Sequence, residues 1–128
     1  MPHDLQMLAY AAALAIIQML IAVLAAISQF GLPTLAGNRE NLGAYTGLAL
    51  RAQRAHLNML ENLAIFAIVV IVAEITNRTN ETTALGASLF LWGRLAYAVI
   101  YLAGIPWLRT AAWAVSIAGI LLVMSQLF

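Results

Sequence analysis

The 128-residue sequence contains no cysteine and no lysine. Without cysteine, the chain forms no disulfide, supplies no thiolate nucleophile of its own and offers no sulfur ligand to zinc. Any thiol chemistry must therefore use a thiol that a substrate brings. The six basic residues are all arginine, whose planar guanidinium suits paired recognition of carboxylates and phosphates.

Charged residues of either sign are also scarce. They make up 9% of the chain, against about 25% in an ordinary soluble domain. Hydrophobic residues make up 64% and the mean hydropathy is +0.93, so a soluble monomer would lack a polar surface. The absence of a basic patch excludes nucleic-acid binding, and the isolated histidines His3 and His56 predict no metal site. The composition predicts a multi-pass membrane protein.

Long apolar runs predict where the chain crosses the membrane. A helical span needs about 20 predominantly apolar residues. Four runs meet this requirement, at about residues 5–30, 45–76, 83–103 and 108–128. Glycine and proline predict a loop over residues 31–38 and a tight turn at Gly104-Ile105-Pro106. We therefore expect one all-α domain over residues 1–128, an integral membrane four-helix bundle with short connections.

The arginines also predict how the bundle is oriented. Four of them lie in or beside the connections that follow the first and third spans: Arg39, Arg51, Arg54 and Arg109. The opposite side has only Arg78. Because arginine marks the cytoplasmic side, we expect the larger group to face the cytoplasm and both termini to lie on the far side. Asp4 and Glu40 are expected to be solvated.

Polar side chains inside the spans fall on single helix faces. At 100° per residue, one face of the second span holds Arg51, Arg54, Asn58, Glu61 and Asn62, and His56 lies well away from it. The third span aligns Arg94, Tyr97 and Tyr101, and the fourth aligns Arg109, Trp113 and Ser116. A charge at the bilayer centre costs about 2.5–3.5 kcal/mol on insertion scales. These faces therefore cannot point toward lipid.

The residues alone leave two interpretations open. Glu61 and Arg94 could form a purely structural pair between two helices, or they could line a wet cavity. The arginine excess at one membrane boundary fits either topology or an anionic ligand with carboxylates. Composition and spacing predict only a small bundle with an anion-friendly pocket on its cytoplasmic side.

The second span contains the motif Arg-Ala-Gln-Arg-Ala-His-Leu-Asn-Met-Leu-Glu at residues 51–61. It is similar to the hallmark of the MAPEG family, the membrane-associated proteins in eicosanoid and glutathione metabolism. The run from Gly93 to Tyr101 resembles that family's third-helix pattern, and Arg109 matches an arginine that opens its fourth helix. Tyr97 stands where prostaglandin-synthase-like members have histidine, so the resemblance does not imply specific eicosanoid chemistry.

The resemblance implies a homotrimer with three active sites between neighbouring subunits. It implies glutathione as co-substrate, bound at the cytoplasmic side. The residues implied to bind it are Arg39, Arg51, Arg54, His56, Asn58, Glu61, Arg94, Tyr97 and Tyr101. Arg109 would be catalytic, because a nearby cation lowers the pKa of a thiol from about 8.5 and so stabilises the thiolate.

The expected function is a membrane-embedded glutathione transferase. It would join glutathione thiolate to an apolar electrophile that arrives from the bilayer, with glutathione peroxidase activity as an additional expectation. The first alternative is a catalytically silent, lipid-binding scaffold of the same family. The second is a small channel or transporter subunit with the polar faces lining a pore, which the lack of broken helices in the spans disfavours.

Overall fold

The computed structural model describes residues 1–39 and 42–128, so the expectation for Glu40 lies outside the described residues. The helices are α1 (His3–Phe30), α2 (Leu32–Ala36), α3 (Gly47–Ile75), α4 (Glu81–Ala103) and α5 (Pro106–Ser125). Four of these, α1, α3, α4 and α5, are long and apolar enough to cross a membrane. No strand occurs in the described part of the chain. The prediction of an all-α protein with four membrane-spanning helices is confirmed.

The short helix α2 lies where the sequence predicted a loop. Gly31 ends α1 with a φ of 86°, and Pro33 lies in the first turn of α2, where the missing N–H of proline breaks no hydrogen bond. Leu35 is buried and anchors this segment against the bundle. A five-residue helix between two glycines has too little periodicity to be found from sequence.

In one half of the bundle, toward the α3–α4 connection, rings and glycines make the contact between α3, α4 and α5. Phe66 of α3 stacks on Phe90 of α4, with ring centroids 4.0 Å apart and an interplanar angle of 15°. Beside them, α4 and α5 touch backbone to backbone, because a Cβ on Gly86 would lie 2.5 Å from the main-chain oxygen of Gly119. We call this region, defined by Phe66, Gly86, Phe90 and Gly119, the apolar half.

Local signals set the two ends of α4. Asn80 caps its first turn: the Asn80 side chain accepts from the N–H of Thr83 at 3.0 Å, and the Thr83 hydroxyl accepts from the N–H of Asn80 at 2.8 Å. Gly104 ends the helix in the left-handed conformation, with a φ of 80°. α5 then begins at Pro106, so the tight turn predicted at 104–106 is present.

Asp4 is buried, with 4% of its surface exposed, and the expectation that it is solvated is wrong. It belongs to the buried stripe of α1, which continues through Met7, Ala11 and Gln18 at helical spacing. The next residue toward the N-terminus, His3, hydrogen-bonds through Nε2 to the Ser88 hydroxyl at 2.8 Å. The first turn of α1 therefore lies against the bundle instead of extending into solvent.

Candidate functional site

Arg94 lies at the centre of the polar cluster. Its side chain is fully buried, and its Nη1 donates to the Asn58 Oδ1 at 2.9 Å. Its guanidinium carbon lies 4.1 Å from the centroid of the Tyr97 ring, a distance typical of a cation–π contact. Glu61 is exposed, and no Glu61–Arg94 ion pair forms among the described residues. The structural-pair interpretation of these two residues is therefore not realised within the protomer.

A small cavity, open on one side, lies beside this cluster between α3, α4 and α5. Its volume is about 170 Å³, and it is lined by Asn58, Tyr97, Arg109, Thr110 and Trp113. We call it the Arg109 cavity. None of these lining residues is acidic, and Arg109 is a fixed cation. The cavity is therefore suited to an anion or to a strong hydrogen-bond acceptor.

Aromatic contacts hold the arginine of this cavity in place. The guanidinium carbon of Arg109 lies 4.5 Å from the centroid of the Tyr101 ring. Tyr101 packs edge-on against Tyr97, with centroids 5.5 Å apart, and both tyrosines are buried. Arg94, Tyr97 and Tyr101 thus form one continuous surface on α4. This surface runs from the middle of α4 to Arg109, near the start of α5.

A second, larger cavity lies between α1, α2 and α3. Its volume is about 320 Å³, and its wall is mostly apolar, with polar groups from Arg39, Tyr45, Gln53 and His56. We call it the Arg39 cavity. The Nδ1 of His56 is buried and has no hydrogen-bond partner in the described residues, and the Nε of Arg39 donates to the main-chain oxygen of Leu35 at 2.8 Å. The Nδ1 of His56 is therefore a buried polar atom with unused hydrogen-bonding capacity beside this cavity.

The two cavities lie on different sides of α3. His56 and Asn58 are two positions apart, which turns their side chains about 200° from each other around the helix. The predicted site residues therefore divide into two sets. Asn58, Arg94, Tyr97, Tyr101 and Arg109 come together, and Arg39 and His56 form a separate set.

The remaining predicted residues lie outside both cavities. Arg51 is half-buried, and its Nε donates to the main-chain oxygen of Leu102 at 3.2 Å, which fastens α3 to the end of α4. Arg54 and Glu61 are exposed on the surface of α3.

Sequence reasoning assigned no role to Gln53 or Asn62. Gln53 lines the Arg39 cavity, and its position one turn before His56 was the available signal. Asn62 was counted in the polar face, but its side chain is buried and hydrogen-bonded to Asn58. The signal available in the sequence was an amide residue one helical turn after Asn58 on the same polar face.

The sequence matches one known protein family over nearly its whole length. The sequence model of the MAPEG family matches residues 7–128. The chain belongs to the MAPEG family. Searches of curated proteins and of solved structures each returned no match. Membership identifies an integral membrane protein of a family concerned with eicosanoid and glutathione metabolism, which includes both glutathione transferases and non-catalytic members.

Proposed function

We propose that this MAPEG protein is a glutathione transferase whose reacting thiol binds in the Arg109 cavity. The supporting observation is the lining of that cavity, where Arg109, Asn58 and Tyr97 converge and no described lining residue is acidic. A thiolate is stabilised by this kind of environment, since a fixed cation favours the charged form of the thiol.

The proposed reaction needs no side-chain nucleophile. The glutathione thiol loses its proton to water, and Arg109 stabilises the resulting thiolate. The sulfur lone pair then attacks an electrophilic carbon, so that a C–S bond forms as the bond to the leaving group breaks. Asn58 and the tyrosine hydroxyls orient the peptide, which holds sulfur and carbon in a productive geometry.

The Arg109 cavity alone offers too little space for the whole tripeptide. Pockets for ligands of that size commonly measure about 300–1,000 Å³, whereas the Arg109 cavity measures about 170 Å³. The polar wall of the Arg39 cavity, with Arg39, Gln53 and His56, lies on the other side of α3. In the homotrimer that we propose, this wall of one subunit faces the Arg109 cavity of the next, and glutathione bridges them.

We also propose that this end of the bundle faces the cytoplasm, where glutathione is available. Arg39, Arg51, Arg54 and Arg109 lie at this end, and Arg78 lies at the other. The arginine distribution supports this orientation through the positive-inside rule. The apolar electrophile would then reach the site from the bilayer.

The decisive experiment is an ultraviolet titration of the purified protein with glutathione. We expect thiolate absorption to appear with the wild type and to vanish in Arg109→Ala. We expect turnover with a model electrophile such as 1-chloro-2,4-dinitrobenzene to fall by roughly a hundredfold or more in the same variant, in the range for loss of one charge-stabilising group. A hydroperoxide as second substrate measures the expected peroxidase activity.

Arg78→Ala is the matched control, because Arg78 is an exposed arginine at the opposite end of the bundle. It should titrate like the wild type. Full turnover in Arg109→Ala would contradict the thiolate role. Absence of glutathione binding to the wild type would favour the silent scaffold, and thiol-independent conductance in liposomes would favour a channel subunit.

A further inference from the structure

The orientation of the Asn58 amide is determined by the chemistry of its neighbours. Arginine has hydrogen-bond donors and no acceptor. The Asn58 side-chain atom that lies 2.9 Å from the Arg94 Nη1 must therefore be the oxygen, Oδ1. The NH2 group of Asn58 must point the other way.

Asn62, one turn further along α3, reinforces this orientation. Its Nδ2 lies 2.7 Å from the main-chain oxygen of Asn58, which can only accept, so the Asn62 atom at this position must be the nitrogen. The same nitrogen lies 3.2 Å from the Asn58 Oδ1. The Oδ1 of Asn58 thus accepts from two donors at once, and a flipped amide would place NH2 against both of them.

The NH2 group of Asn58 is the part of this network that has no partner. It donates to no acceptor among the described residues, and it is not one of the buried unsatisfied nitrogens. Asn58 lines the Arg109 cavity. Its two N–H groups are therefore available to whatever occupies that cavity.

Arg94 makes a poor structural anchor. Its Nε and Nη2 are buried without hydrogen-bond partners in the described residues, so the guanidinium has one side-chain hydrogen bond, the one to Asn58. Burying an arginine with few hydrogen bonds costs free energy, so this side chain does not stabilise the packing of the two helices. The contact it does make is the one that orients a cavity residue.

We propose that Asn62 and Arg94 are positioning residues, which lock the Asn58 amide so that its NH2 group faces the Arg109 cavity. The ligand group next to Asn58 must then be a hydrogen-bond acceptor, such as a carboxylate or a peptide carbonyl. Its assignment to glutathione rests on the proposed function. The locked amide itself is a property of this chain without any ligand.

The first test needs no ligand. The protein is labelled with 15N-asparagine, and the side-chain amide signals are assigned by their loss in Asn58→Leu and Asn62→Leu. We expect the NH2 protons of Asn58 to exchange with water faster than those of Asn62, because the first pair faces a cavity and the second is hydrogen-bonded and buried. Equal rates, or slower exchange at Asn58, would overturn the proposal.

The second test measures glutathione binding by titration calorimetry in Asn62→Leu. We expect Kd and KM for glutathione to rise about fivefold to thirtyfold, the effect of losing one or two well-made hydrogen bonds, while kcat at saturating glutathione stays within about threefold. A merely structural role would lower kcat and stability and leave Kd unchanged.

Gln18→Leu is the matched control, since Gln18 is also a buried amide in a span and lies outside the network. It should leave Kd at the wild-type value. In an Asn58→Leu background, Asn62→Leu should have no further effect on Kd, because Asn62 acts through Asn58. An Asn62→Leu variant that binds glutathione like the wild type would refute the positioning role alone. A wild type that binds no glutathione would refute the proposed function, and the exchange rates would then decide the orientation.

Discussion

The apolar half of the bundle and the half around Asn58 and Arg109 use the same three helices, α3, α4 and α5, in opposite ways. In the first, the helices meet through apolar groups, the Phe66–Phe90 stack and the contact between Gly86 and Gly119. In the second, a buried arginine has donors with no partner among the described residues, and an open cavity of about 170 Å³ lies beside it.

The two halves of the same helices therefore have different roles: one holds the bundle together and the other carries the polar candidate site. Without a hydrophobic driving force between helices in lipid, close packing of small residues and rings holds a bundle together. The apolar half meets this need, so the other half can keep polar groups in positions that do not favour stability. Variants in the two halves should therefore change different measured quantities.

The largest effect is expected for Gly119→Val. A Cβ at this position would contact the main-chain oxygen of Gly86 and lie 2.7 Å from the main-chain nitrogen of Phe90, and neither backbone atom can move without separating α4 from α5. We expect loss of folded protein on size-exclusion chromatography in detergent. Ala118→Val, on the exposed neighbouring position, is the control and should elute like the wild type.

Phe66→Ala should lower the stability of the protein without preventing folding. The substitution removes one ring of a stacked, fully buried pair. Because the side chain leaves protein for lipid and not for water, we expect mainly lost packing, on the order of 2 kcal/mol. The measurement is thermal unfolding in detergent. Glutathione binding measured below the transition should match the wild type, and a weaker Kd would show that the two halves are coupled.

Arg94→Met should produce the opposite result. Replacing a buried, under-bonded charge by an apolar side chain of similar length is often neutral or stabilising. We expect an unchanged or higher Tm, together with a Kd for glutathione about fivefold to thirtyfold weaker, because Asn58 is no longer held. A strong fall in Tm with normal binding would mean that Arg94 serves the fold instead of the site.

The smallest effect is expected for Asn80→Ala. The substitution removes the capping hydrogen bond to Thr83 and the bond from the Asn80 Nδ2 to the Gln126 Oε1 at 2.8 Å. Loss of an N-cap costs about 1 kcal/mol. We expect a small decrease in Tm and unchanged kinetics. Thr79→Ala is the comparison, since Thr79 is exposed in the same connection, has no positive φ and does not cap α4.

The four membrane-spanning helices could be predicted because length and apolar composition are properties of the sequence itself. The grouping of Asn58, Arg94, Tyr97 and Arg109 could also be predicted in outline, since helical periodicity puts each on a polar face. The partner of Arg94 could not. Periodicity gives the face of a side chain but not its height against a neighbouring helix, and Glu61 and Asn58 share one face.

The structure also differs from the sequence-based expectations at Asp4 and around His56, and each difference has a local cause. Asp4 was expected to be solvated, yet it continues the buried stripe of α1. The separate position of His56 was visible from its angle on the helix, but the cavity it shares with Arg39 depends on how α2 folds back, which no pattern in the sequence indicated.

The buried position of Arg94 also has a consequence for how the protein enters the membrane. An arginine near the middle of a helix costs about 2.5–3.5 kcal/mol when the helix is inserted on its own. Its acceptor, Asn58, is on α3, which is synthesised first and is joined to α4 by the short connection from Thr76 to Asn80. We therefore expect the translocon to release α3 and α4 as a helical hairpin, with α4 integrating efficiently only when α3 precedes it.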